Sequence, residues 1–449
     1  MRRSIVIAVA LLALSVVFVG SLSLLFSPST TEVEADDSDV SPRLTSVNGS
    51  ESKFWRFLSP EQRFQQRSPI NVIVRGDSDD VLPVMTDGHA GDWGEIEGTT
   101  GGDDAENETV LEERAGHAAG LEWGEADGAT RYAWIDPGPD ERGYWTDETA
   151  QLENGDYYGY RYHIRLYESP NDADQWIAMQ GHSEHFDWFT LRHRVDGSEA
   201  AQSKIESDFM DHPQVDTEQD IQRVYLANDG PSDADGWATV VDFTGMIVLP
   251  AGVGLVARRR VAATDTEIDG STGADYVSEH TPDAIDDHLT DVDRRRIAAA
   301  YDRLEAGHII LVFTILALFL GVRMGGLFLE RRVGLLTPHM IAAVLYPVIA
   351  VGIPVATVLI ARTLERRLDA ALVAAGSLAL AIWIDYGLVG VESLPIDVVF
   401  QRVLVIIALG LLAGGAARRA TRDLRHNDML LVGSVLWVVV LSGTLLGYF

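Results

Sequence analysis

Two hydrophobic periods divide this chain. From residue 307 onward apolar positions are nearly continuous, in stretches at 307–329, 338–361, 370–391, 399–416 and 429–448 separated by arginine-bearing or polar breaks. At about 1.5 Å of rise per residue, each can cross a hydrocarbon layer roughly 30 Å thick. A packed soluble helix array would show polar faces at about 3.6-residue spacing, and these stretches show none. A further uncharged apolar run, Ile5–Phe26, follows Arg2 and Arg3. It is longer than the apolar part of a secretory leader, and Gly20-Ser-Leu-Ser-Leu makes a poor cleavage site. Residues 1–26 therefore read as an N-terminal transmembrane anchor, with a signal-like helix as the alternative.

Between these ends the period becomes two. After a linker at 27–59, Pro69-Ile-Asn-Val-Ile-Val74 is a short β-branched run, closed by Arg75-Gly-Asp77 and followed by a short helix capped by Asp77 or Ser78. Residues 97–130 are rich in Gly, Glu and Asp and read as a mobile loop or insertion. Tyr160–Tyr167 alternates strictly, with Tyr160, Tyr162, Ile164 and Leu166 on one face and Arg161, His163, Arg165 and Tyr167 on the other. A second strand is predicted from Gln175 to about His182, and a helix from about Ser198 to Met210 buries Ala201, Ile205 and Phe209. Asp196 with Glu199 fits a capping box at its start. Strands with segregated helices make residues 60–240 an α+β soluble domain, joined to an all-α polytopic membrane bundle at 307–449.

The charge pattern bears on topology. Arg2 and Arg3 hold the N-terminus inside and send residues from about 30 to 237 out of the cytoplasm, in a multi-pass protein of the cell membrane. With six spans, the basic breaks at Arg362–Arg367 and Arg418–Arg422 would also lie outside, against the positive-inside tendency. Val240–Ala257 is a candidate extra span ending on Arg258-Arg259-Arg260, and 258–306 is then an acidic linker. If 240–257 crosses, both basic breaks become cytoplasmic and only Arg323, Arg331 and Arg332 stay misplaced; its Gly, Pro and Asp residues equally suit a final strand and a buried loop. Two glycosylation-type triplets, Asn48-Gly-Ser50 and Asn107-Glu-Thr109, are compatible with an outer face.

Composition sharpens the picture. Residues 27–306 hold 59 of the 67 acidic and 22 of the 35 basic residues, a net of −37, and only two lysines occur, Lys53 and Lys204. Such a surface repels phosphate backbones and excludes a nucleic-acid partner. It suits a halophile, because in molar salt the Debye length falls to about 3 Å and self-repulsion is screened. The chain has no cysteine, which excludes disulfides and thiolate metal sites.

Three motifs follow in order: Ser68-Pro-Ile-Asn-Val-Ile-Val-Arg-Gly76, Arg161-Tyr-His-Ile-Arg-Leu-Tyr167 and Arg192-His-Arg-Val-Asp196. Their order resembles the LssY C-terminal-like domain family over roughly residues 60–240, with Tyr167 where that family carries Trp and with the acidic insertion added. The resemblance implies a membrane-attached envelope domain and no particular reaction.

Candidate chemistry is correspondingly sparse. Arg161, His163 and Arg165 on one strand face, with His193 and Asp196, form a candidate anion-binding set, since guanidinium pairs bidentately with carboxylate or phosphate. Against it stands an ordinary solvated face whose arginines pair with nearby acids. His182 and His185 are a candidate metal pair, although on a strand they point to opposite faces. Asp385 is an ionisable group inside a span, a functional residue or one that snorkels from the outer end. No nucleotide-binding glycine loop, zinc-protease helix or nucleophile elbow occurs, and no cofactor is expected. Membrane lipid and an anionic small molecule or envelope ligand are the expected partners. Envelope ligand binding or sensing is the expected role, with a lipid or envelope phosphoester hydrolase and a transporter subunit as alternatives.

Overall fold

The computed structural model describes residues 42–47, 50–76, 78–86, 92–95, 131–139, 141–171, 175–212, 215, 220–229, 235–243, 306–391, 394–417 and 427–446. The expected anchor at 1–26, the insertion at 97–130, residues 244–305, Asn48, Asn107 and the basic break at 418–422 lie outside these residues.

The described residues form a sheet-rich N-terminal region and five apolar helices. The main sheet contains β3 (Val72–Arg75), β4 (Gly94–Glu95), β7 (Ala150–Gly155), β8 (Tyr160–Glu168), β9 (Trp176–Asp187), β10 (Arg192–Gly197), β11 (Ile221–Tyr225) and β12 (Trp237–Asp242). Its order is β11-β12-β3-β9-β8-β7-β4, with β10 pairing β9, and only β12 and β3 run parallel. A smaller sheet, β1 (Leu44–Thr45), β2 (Lys53–Trp55), β5 (Ala133–Asp136) and β6 (Tyr144–Thr146), covers part of one face. Helices α1 (Ser78–Thr86) and α2 (Glu199–Met210) cover the other, where Val72, Val74, Ile164, Leu166 and Met179 meet Ile205 and Phe209.

β9 organises the domain. It is 12 residues long and buried throughout, so the expected second strand runs past His182 to Asp187. Its first half pairs β3 (Val72 with Met179) and its second half pairs β10 (His193 with Phe186). Asn71 locks that junction: its amide donates to the carbonyls of Gly181 (2.8 Å) and Ser198 (3.3 Å), and its oxygen accepts from Gly181 N–H (2.8 Å). A buried amide left unbonded there would cost about 1–3 kcal/mol. Gly181 lets α2 pack close, since a Cβ there would lie 3.0 Å from Ile205 Cδ1 and that side chain would have to give way.

The five apolar helices are α3 (Ala306–Arg332), α4 (Pro338–Ala361), α5 (Arg367–Leu388), α6 (Ile396–Ala416) and α7 (Asp428–Leu445). Each is long and apolar enough to cross a membrane. Phe313, Phe328, Val344, Leu359, Leu431 and Val438 face outward from the bundle, an apolar surface suited to lipid. α4 widens into a π-turn at Val348–Gly352 between Pro347 and Pro354, where missing backbone N–H groups loosen the ladder.

The sheet docks on one end of this bundle. Phe189 packs on Phe319 of α3 at 5.4 Å, and Trp188 and Tyr158 stack at 4.9 Å over Gly326. Gly326 is required there, since a Cβ would come within 2.8 Å of the Trp188 ring. Glu330 of α3 accepts the N–H groups of Tyr157 (2.7 Å) and Tyr158 (3.1 Å). The opposite end gathers the start of α3 and the end of α4, where Gly307 meets Leu364.

One expectation is decided between its alternatives and one needs correction. Val240–Asp242, the start of the candidate extra span, belong to β12 and pair with Ile73–Arg75, as the alternative of a final strand has it. Asp196 does not cap α2: the N-cap is Ser198, which makes no side-chain capping bond, and Asp196 turns instead to His185.

Candidate functional site: a buried polar row and its seam with the helices

Antiparallel register places the polar residues of β8 opposite those of β9. Arg161 pairs with Glu184, His163 with His182 and Arg165 with Gln180, so all six project from one face, beside Gln151 and Glu153 of β7. The row continues the face that carries Tyr167 and Ala178 into the core under the smaller sheet.

This face is not the solvated surface that alternation alone allows. His163, Arg165, Gln180, His182 and Glu184 are all buried. Buried charge is tolerated only when paired, and pairing here is complete at the arginines. Arg165 donates to Glu148 at 2.7 Å. Arg161 donates to Glu184 and Glu153, each at 2.5 Å. The expected anion cradle is thus filled by the protein's own carboxylates.

The histidines have defined partners. His163 Nε2 lies 2.9 Å from Gln151 Oε1, while the Gln151 amide nitrogen donates to Glu148. His182 Nδ1 lies 3.2 Å from Gln180 Oε1, and its Nε2 lies 3.4 Å from Glu184 Oε2. The two rings meet edge to face at 5.0 Å. Burial, helped by His182 and the arginines, pushes His163 well below its ordinary value, so the ring is neutral. Burial alone would raise Glu184, but the His182 bond and the Arg161 guanidinium outweigh it and hold the carboxyl well below the usual range.

The other candidates go elsewhere. His185 points to the opposite face from His182, as strand geometry requires, so they do not share a site. Its Nδ1 contacts Asp196 Oδ1 at 2.8 Å, and its ring packs on Tyr386 of α5 at 5.8 Å. His185 Nε2 and Asp196 Oδ2 are buried without a hydrogen-bond partner. Burial raises the Asp196 carboxyl, against the pull of His185. His193 donates from Nε2 to the Tyr157 carbonyl at 2.8 Å, and burial lowers it to about 4.

The seam with the helices is ionic. Arg402 of α6 donates to Asp187, the last residue of β9, at 2.5 Å, and also to the Tyr386 hydroxyl at 2.8 Å, with its guanidinium 4.2 Å from the Phe189 ring. Arg194 adds a second bond to Asp187 at 3.1 Å. Burial would raise Asp187; Arg402 and Arg194 instead hold it far below the normal carboxylate range. Arg323 of α3 bonds Asp385 of α5 through both carboxylate oxygens, at 2.7 and 2.8 Å, and reaches the carbonyls of Phe186 (2.8 Å) and Tyr158. Asp385 is therefore a buried ion-pair partner and does not snorkel.

Sequence reasoning missed Glu148, Gln151, Glu184, Asp187 and Arg402, and marked Arg323 only as a misplaced cation. Glu184 was recoverable, because residues 182 and 184 of one strand share a face. Arg402 was not: nothing local signals a partner 215 residues away. The chain matches no protein-family model, no curated protein and no solved structure.

Proposed function

We propose that this chain is an envelope ligand-binding or sensing protein in which an outer sheet domain reports its state to the membrane helices, its acidic surface adapted to high salt. The LssY-like character of the domain is part of the same reading. One observation carries it: a single strand, β9, holds His182 and Glu184 of the polar row and, within three further residues, the contacts to three helices. His185 packs on Tyr386 of α5, the Phe186 carbonyl binds Arg323 of α3, and Asp187 binds Arg402 of α6. A change at the row that shifts β9 by a few tenths of an ångström must be absorbed by buried ion pairs, which have few alternative arrangements.

Sidedness is supported by where the elements begin and end. β12 ends in the sheet at one end of the bundle, whereas α3 begins at Ala306 at the other, beside Leu364. Phe243 and Ala306 thus stand at opposite ends of the bundle. The basic break Arg362–Arg367 then lies on the cytoplasmic side, away from the sheet. The misplaced arginines lose most of their weight: Arg323 is neutralised by Asp385, and Arg331 by Asp156 at 2.5 Å.

The test is hydrogen exchange on the full chain in lipid nanodiscs. Glu184→Gln removes one charge from the row and touches no helix. Faster exchange in residues 383–391 and 396–402, as well as in β8 and β9, is the expected result. Changes confined to the sheet would overturn the coupling.

A further inference from the structure

We infer that His163, His182 and Glu184 form a binding site for a divalent transition-metal ion of the zinc class. One ligand atom from each lies within 4.8 Å of the other two, and all three side chains are buried. The tautomers point the same way. The Gln151 amide nitrogen is committed to Glu148, so its oxygen faces His163 and accepts from Nε2–H, leaving Nδ1 of that ring as a lone pair. Gln180 Oε1 accepts from Nδ1–H of His182, while Nε2 faces Glu184 Oε2 across 3.4 Å and shares a proton with it in the metal-free chain. A divalent ion can take the place of that proton, with the Nε2 lone pair and the carboxylate oxygen as two of its ligands.

That separation fits a metal. Bonds of about 2.0–2.1 Å at a tetrahedral angle put neighbouring ligand atoms roughly 3.4 Å apart. Two neutral imidazoles and one ionised carboxylate select zinc, cobalt or nickel over magnesium or calcium, which take oxygen ligands. Gln151 and Gln180 behave as outer partners that fix ring orientation, and Arg161 holds the second oxygen of Glu184. Three protein ligands leave a fourth tetrahedral position for water or a small anion. The surrounding charge permits a cation: Glu148, Glu153 and Glu184 outnumber Arg161 and Arg165.

The inference deepens the sensing reading by giving its ligand a chemical class, and rests on that reading only for the consequence in the helices. The full chain in detergent, stripped with a chelator, is titrated with Co2+ and read by its visible ligand-field bands, then with Zn2+ by elemental analysis. One equivalent is expected, lost in His182→Ala and in His163→Ala, retained in His193→Gln, and weakened about 10–100-fold in Gln151→Ala. Because a ligand variant can misfold, uptake by the unaltered chain is decisive. No uptake would mean that the proton between His182 and Glu184 is not displaced, and would overturn the metal site. Uptake that survives the double variant His163→Ala/His182→Ala would also overturn it. Stoichiometric uptake that leaves exchange in α5 and α6 unchanged would sink the coupling and leave the metal site standing.

Discussion

Removing Arg402 tests whether the sheet and the helices are one folding unit. Its guanidinium and the Asp187 carboxylate are 5% and 2% exposed and 2.5 Å apart. Breaking a buried pair from one side strands an uncompensated charge and costs about 3–5 kcal/mol. The two sides should differ. Arg402→Met leaves Asp187 with Arg194 and with the Phe189 N–H at 2.9 Å, so its cost belongs near 3 kcal/mol. Asp187→Leu leaves Arg402 with the neutral Tyr386 hydroxyl, the Gln401 side-chain oxygen and the Phe189 ring, and with no carboxylate bonded to it among the described residues, so about 5 kcal/mol is expected. The double variant removes both charges, and its cost should fall below the sum by at least about 2 kcal/mol. The assay is denaturant unfolding in nanodiscs, followed by near-ultraviolet circular dichroism for the sheet and by hydrogen exchange for α6. Single costs below about 1 kcal/mol, as for an exposed pair, or strict additivity, would refute a buried seam.

Acid should destabilise the sheet domain between about pH 6.5 and pH 4, because His193 is held neutral to about 4 when folded and takes a proton near 6.5 when unfolded. Its contribution is intact above the unfolded value and falls by roughly 3 kcal/mol as the pH drops through that window; His193→Gln should flatten the melting profile there, and an unchanged profile would refute the assignment. Gly326→Leu should destabilise the docked state by about 1–3 kcal/mol or more through overlap with Trp188 and Tyr158, read as a lower melting temperature; no change would mean that the helix and sheet do not touch there. Because the chain has no cysteine, Asp147→Cys should react with an impermeant maleimide in whole cells and Glu365→Cys only after lysis; the reverse pattern would invert the topology. Diluting salt from molar to about 0.1 M lengthens the Debye length from about 3 to 10 Å, and the melting temperature of this −32 chain should fall; a constant value would refute the salt adaptation.

What the sequence made legible was set by local physics. The period-two pattern located β8 and its two faces, and four-residue spacing gave α2 with Ala201, Ile205 and Phe209 buried. The five apolar helices were visible because lipid demands long uninterrupted apolar runs. Periodicity says only that two faces differ, not that either is wet. The polar face of β8 is buried because β7 and β9 supply carboxylates and amides at matching register, and register is a long-range property. Asp196 was assigned as a helix cap from its spacing to Glu199, but the bond to His185 lies across β9 and β10, where helical spacing carries no information.

The arginines show the same limit from the membrane side. Counted along the chain, Arg323 is a cation in an apolar helix on the wrong side of the positive-inside rule. In the fold it is almost fully buried and gives its hydrogen bonds to Asp385 and to two backbone carbonyls of the sheet. Asp385 and Arg323 were each costly alone and legible as exceptions; their pairing explains both, and the two carbonyls explain why the pair sits at the end of the bundle that carries the sheet. A lone snorkelling Asp385 would accept Asn at little cost. With Arg323 buried at 1% exposure and bonded through both oxygens of Asp385, the same substitution removes the one countercharge that bonds it among the described residues. The cost should then resemble that of a broken buried pair, about 3 kcal/mol or more.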